Sequence, residues 1–154
     1  TQVLETPFAN MQVNDQRILK QIRDHEIAHR DFLKKALGRN AIGSLEVDFS
    51  AVDFSSRASV LGTAEVFENL GVAAYNGAGQ LISNTAYLVA AGSIVSVEAR
   101  HAAAISDLLK PFSAEAVGRG HVDHKGLDGA LLPSAVLKAA GPFISTPVTA
   151  ATLP

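Results

Sequence analysis

Five residues of this 154-residue chain have the types and spacing for metal chemistry. Glu26 and His29 stand three apart in "HEIAH", Glu98 and His101 stand three apart in "VEARH", and Glu68 lies between the pairs in "FENLG". Residues three apart share one side of a helix, so each Glu-x-x-His presents a carboxylate and an imidazole together. Both pairs fall on otherwise apolar stripes. Ile18, Ile22 and Leu33 continue the face of Glu26 and His29, while Tyr87, Ile94, Val97, Ile105 and Leu108 continue that of Glu98 and His101. Ser93, Ser96, Arg100 and Asp107 fall opposite, as an amphipathic helix requires. Glu68 shares an inner face with Val60, Ala64, Phe67, Gly71 and Tyr75, and Glu65 lies nearer its boundary.

Three carboxylates enclosed together would each cost several kcal/mol if unpaired. They would repel one another and take up protons. No Lys or Arg shares these inner faces to neutralise them. A cation is what remains, and a pair of divalent ions suits carboxylates with imidazoles. Glu26, His29, Glu68, Glu98 and His101 are therefore the candidate metal ligands, with metal ions the expected partners.

The elements that must position them are helices, and the fold class is all-α. The pattern predicts helices over about 15–37, 56–78 and 84–109, with Asn14 as N-cap of the first and Gly38 just past its end. Pro111 ends the third. The connector "GQLIS" is short, so the second and third helices form an antiparallel hairpin. "GRNAIGSLEVDFSAVDFSS" has no strong period and is the length of a crossover from one end of a bundle to the other. Residues 1–110 thus read as a helical bundle and 111–154 as a wrap of the same domain, with a short helix near 133–140.

Composition narrows the classes. At 47% hydrophobic and 18% charged the chain is globular. A net charge of -2 gives no footprint for nucleic acid. Without cysteine there are no disulfides, zinc–thiolate sites or thiol nucleophiles. No unbroken apolar run of membrane-spanning length and no signal peptide stand out, so no transmembrane segment is expected. Thr1 is not an initiator, which leaves room for a removed export signal.

The order Glu26-x-x-His29, Glu68, Glu98-x-x-His101 resembles the ferritin-like carboxylate bundles, in which one Glu from each of two helices joins a Glu-x-x-His from each of the other two. "FENLGVAAYNGAGQLIS" with "SIVSVEARHAAAISDLL", the "HEIAHRDFLKKALG" helix and the "GLDGALLPSAVLKAAGPFIS" tail resemble the bacterial ferritin-like proteins related to plant desiccation-associated proteins. The resemblance implies a ferritin-like four-helix bundle with a dinuclear iron or manganese site, and export to the periplasm or beyond the cell. In that family a preceding helix carries a sixth ligand. Here "TQVLE" reads as its last turn, and Glu5, close to Pro7, is no good substitute. The expectation is that this helix lies upstream, with a helix-swapped homo-oligomer or a degenerate site as the other readings.

Several residues invite a role without earning one. His25 adjoins Glu26 and reads as a supporting or rim residue. His121, Asp123 and His124 in "GRGHVDHKG" read as a solvated turn, Tyr75 as packing, and the glycines of "GVAAYNGAG" as close helix packing, since no strand precedes them as a phosphate loop needs. Two function classes follow. One is di-metal activation of oxygen or peroxide, of the ferroxidase, peroxidase or catalase kind. The other is a non-enzymatic structural or stress protein on the same scaffold. Hydrolysis by paired acids fits the helical Glu–His spacing less well.

Overall fold

The structure is a computed structural model that describes residues 2–149. A one-turn helix α1 (Gln2–Glu5) leads to three long helices, α2 (Val13–Leu37), α3 (Arg57–Gly79) and α4 (Thr85–Leu109), and a short α5 (Pro133–Ala140). Among the described residues there is no strand, only the isolated bridges Val47–Ile144 and Val122–Asp128.

The helix ends follow from local chemistry. α2 starts at Val13, with Gln12 rather than Asn14 at the cap position. Asp15 decides this, because from the third helical position its carboxylate reaches back to the Gln12 N–H at 3.4 Å. Gly38 at φ 53° closes α2, and its N–H donates to the Lys34 carbonyl. Ser56 and Asn84 prove to be caps, not first helical residues. Ser56 Oγ accepts from Ser59 N–H, and Asn84 Oδ1 from the N–H groups of Ala86 and Tyr87.

α3 packs along the length of α4 as an antiparallel hairpin, and α2 meets α4 beside it. Tyr87 Oη donates to the Ala36 carbonyl at 3.2 Å, and Arg57 Nη2 to the Leu108 carbonyl at 2.9 Å. α4 therefore runs antiparallel to both neighbours, α2 and α3 run parallel, and residues 38–56 make the crossover. Phe8, Leu19, Val60, Leu61, Ile105 and Leu108 form the core at one end. There Asp15, almost wholly enclosed, receives a two-pronged hydrogen bond from Arg57, at 2.9 Å from Nε and 2.8 Å from Nη2.

Two expected inner faces differ from the pattern. Tyr87 and Leu33 were placed inward, yet Tyr87 is 45% and Leu33 36% exposed. No described helix covers α2 on that side, and cavities of about 680 and about 630 Å³ flank Glu26 along it. α3 instead buries more than one face, since Leu61, Val72, Ala73 and Gly77 are buried besides Val60. Leu61 joins the core at the bundle end, and the tail covers Ala73 and Gly77. Leu131 N–H donates to the Ala73 carbonyl at 2.8 Å, and Asn76 Nδ2 to the Gly129 carbonyl at 3.0 Å. The tail then pairs with the crossover, as Asp48 N–H donates to the Phe143 carbonyl and Ser145 N–H to that of Glu46. Phe143 packs on Phe49 and Phe67.

α4 is the one described helix long and apolar enough, by length and composition, to cross a membrane. In the fold it is the central helix, and its face toward α2 and α3 carries Glu98 and His101.

Gly77 is where the tail backbone comes closest. A Cβ there would collide with the backbone of Leu131. Gly77→Ala is expected to destabilise the protein by about 1–3 kcal/mol through overpacking. Urea unfolding would read this, and an unchanged midpoint would contradict it.

Candidate metal centre

Midway along the bundle, α2 contributes Glu26 and His29, α3 Glu68, and α4 Glu98 and His101. Ligand atoms of Glu26, Glu68, Glu98 and His101 all lie within 4.8 Å of one another. His101 Nδ1 stands at the middle, 3.2 Å from Glu26 Oε1, 3.3 Å from Glu68 Oε2 and 3.2 Å from Glu98 Oε2. His29 falls just outside that tight group but joins it through two contacts. Its Nδ1 is 3.4 Å from Glu98 Oε1 and 3.6 Å from Glu26 Oε1. Glu98 thus turns one oxygen to each imidazole.

Burial grades across the cluster. Glu98 and His101 are buried, Glu68 and His29 are partly covered, and the Glu26 side chain is 46% exposed toward the uncovered side of α2. Among the described residues no Lys or Arg pairs with the three carboxylates, since Arg23 and Arg30 are taken by Asp24 and Asp31. His29 Nδ1, Glu98 Oε2 and His101 Nδ1 are buried and lack hydrogen-bond partners. One imidazole proton cannot serve three converging oxygens, so these atoms have no internal solution to their charge. A divalent cation fits them. Carboxylate oxygens and imidazole nitrogens are what iron and manganese accept, and all the orphaned atoms face the same space.

Electrostatics shows what the protein does with that space before a cation enters. Burial works to lower the His101 value, but the carboxylates of Glu26, Glu68 and Glu98 overcome it and raise it from 6.5 to about 11. Burial pushes Glu68 up, and the other two carboxylates add to this. For Glu26 burial acts upward, but His101 and His29 bring it below its ordinary 4.5. Burial, with Glu98 and Glu26 nearby, pushes the Tyr75 hydroxyl up to about 12.

His101, raised in the fold, stabilises the cation-free protein fully below its ordinary 6.5, and that contribution is lost as pH rises through about 11. A cation at Nδ1 must displace this proton. Binding is therefore expected to release a proton, and affinity to rise about tenfold per pH unit near neutrality. Calorimetric titration in buffers of different protonation enthalpy measures this. A heat independent of buffer would contradict it.

The remaining residues separate clearly. Glu65 is occupied outside the cluster, accepting from Ser106 Oγ at 2.7 Å. Glu5 is exposed at the end of α1 and does not belong to the cluster. Asp123 Oδ1 is taken by the N–H groups of Lys125 and Leu127, so its loop is a side-chain-capped turn. Among the described residues His121 and His124 join no group that could hold an ion. His25 comes closer than a rim residue, since its Nδ1 lies 2.9 Å from His101 Nε2 and the two rings are nearly coplanar. The signal for it was its place beside Glu26, which turns it from the stripe toward α4.

A family model described as a ferritin-like domain matches residues 1–111, a span that holds all five candidate residues. No curated protein matches the chain.

Proposed function

Because the chain belongs to the ferritin-like domain family, we propose that its bundle holds a dinuclear iron or manganese centre and uses it for redox chemistry on oxygen or peroxide. The observation that carries the reading is the convergence of three buried, partnerless atoms, His29 Nδ1, Glu98 Oε2 and His101 Nδ1. Glu26, His29, Glu68, Glu98 and His101 would hold the centre, with Glu98 facing both imidazoles. A bound pair of such ions supplies electron transfer to the oxidant that side chains alone do not. The protein's part is to fix the ligands on rigid helices, keep the α3–α4 side dry and leave the Glu26 side open to small molecules. Tyr75, held protonated on the wall beside His29 and Glu26, stays a neutral donor there.

The second reading, a non-enzymatic scaffold, draws on the same open side. The uncovered face of α2 suits a further helix, from this chain or from a second copy, and a protein built for assembly would keep it without turnover. Loading with ferrous or manganous ion, followed by ferrous-oxidation and peroxide-consumption assays, separates the two. Metal-dependent turnover that is lost with Glu98 and His101 supports the first. Metal uptake without turnover favours the scaffold.

A further inference from the structure

One polar contact enters the centre from outside the five residues. The His25 ring meets that of His101 end-on and nearly coplanar, with centroids 5.2 Å apart and planes 13° from parallel, and its Nδ1 is 2.9 Å from His101 Nε2. The other nitrogen of His101 faces the three carboxylates. A ligating nitrogen carries no proton, so a neutral His101 ligating through Nδ1 has its proton on Nε2. That N–H then donates, and His25 Nδ1 accepts. The accepting ring keeps its own proton on Nε2, 3.3 Å from the side-chain amide of Gln21, whose oxygen takes it after exchange of the amide's two ends.

We propose that His25 is a positioning residue, whose Nδ1 accepts the Nε2 proton of His101 and so holds that imidazole with Nδ1 turned toward the carboxylates. The proposal rests on the metal-centre reading above. The outer partner of a ligating histidine fixes its tautomer and orientation and raises its basicity, and losing such a partner weakens metal affinity about 10–100-fold. An imidazole suits this place. It accepts the proton without adding a fourth negative charge beside Glu26, Glu68 and Glu98. The end-on, nearly coplanar contact also opposes turning of the His101 ring about its Cβ–Cγ bond.

The test uses zinc ion as a diamagnetic probe, with affinity read by chelator competition. His25→Phe keeps a flat ring against His101 but removes the acceptor, and His25→Gln replaces it with a carbonyl oxygen. Zinc affinity is expected to fall about 10–100-fold in the Phe variant and to recover largely in the Gln variant. Nitrogen-15 NMR of the zinc-loaded wild type should find the His101 proton on Nε2. Equal affinity of wild type and His25→Phe, a Gln variant no better than the Phe variant, or a His101 proton on Nδ1 would each overturn the proposal. Failure of wild type to take up zinc at all would overturn the metal-centre reading with it, whereas wild-type binding with no effect of His25 overturns the positioning role alone.

Discussion

Replacing Glu98 and His101 together by alanine is expected to abolish metal uptake, which on the proposed reading falls from about two divalent ions per chain in the reconstituted wild type to background. No other pair is expected to remove as much. Glu98 is the carboxylate that faces both imidazoles, and His101 Nδ1 touches all three acids. The expected loss also appears as stability. An ion that binds only the folded chain, at a free concentration about 1,000 times its Kd, stabilises by about 4 kcal/mol. Wild type should show a metal-dependent rise in unfolding free energy of that order, and the double variant none. Glu98→Gln with His101→Asn keeps more of the volume and guards against a cavity being mistaken for loss of a ligand. Retention of metal by either double variant would place the ions elsewhere.

The second large effect lies at the end of the bundle. Arg57→Met leaves the Asp15 carboxylate, 1% exposed, without its partner, and unties the Leu108 carbonyl at the end of α4. Breaking an enclosed pair from one side costs about 3–5 kcal/mol. Arg57 is 38% exposed, so water can reach the vacated place, and about 2–3 kcal/mol is expected. The pH dependence has a definite sign. The Arg57 hydrogen bond holds Asp15 below its ordinary 3.8, so the wild-type pair contributes above about pH 4 and loses its contribution as pH falls through the lowered value. In the variant the lone buried carboxylate takes up a proton readily, which relieves it. The gap between variant and wild type should therefore narrow on acidification. Urea unfolding at pH 7 and pH 4 measures both, and a gap that widens would contradict the assignment.

The Glu–His cluster was legible because it is periodic. Two Glu-x-x-His pairs on apolar stripes, with Glu68 on a third, put the same five side chains at one level that the helices bring together, and Gly38, Ser56 and Asn84 marked the helix ends within a residue or so. What the pattern missed depends on contacts far apart in sequence. A helical wheel reports one face, whereas α3 buries Leu61 in the end core and Ala73 and Gly77 against the tail, so its burial has no single-stripe signature. Gly77 read as a site of helix–helix approach. It is instead where the backbone of Leu131 crosses. The Arg57–Asp15 pair spans 42 positions and the His25–His101 contact 76, and neither has a local signal. Asp15 acts twice, toward the Gln12 N–H and toward Arg57, which is why the helix begins earlier than Asn14 suggested. Tyr87 followed the apolar stripe but stands where α4 outruns its cover.

Whether these five side chains hold a pair of ions is read most directly by anomalous diffraction from crystals of the manganese-loaded protein. Two manganese peaks are expected among Glu26, His29, Glu68, Glu98 and His101. A loaded crystal with no anomalous peak at this level of the bundle, and manganese found only on surface carboxylates, would contradict that expectation.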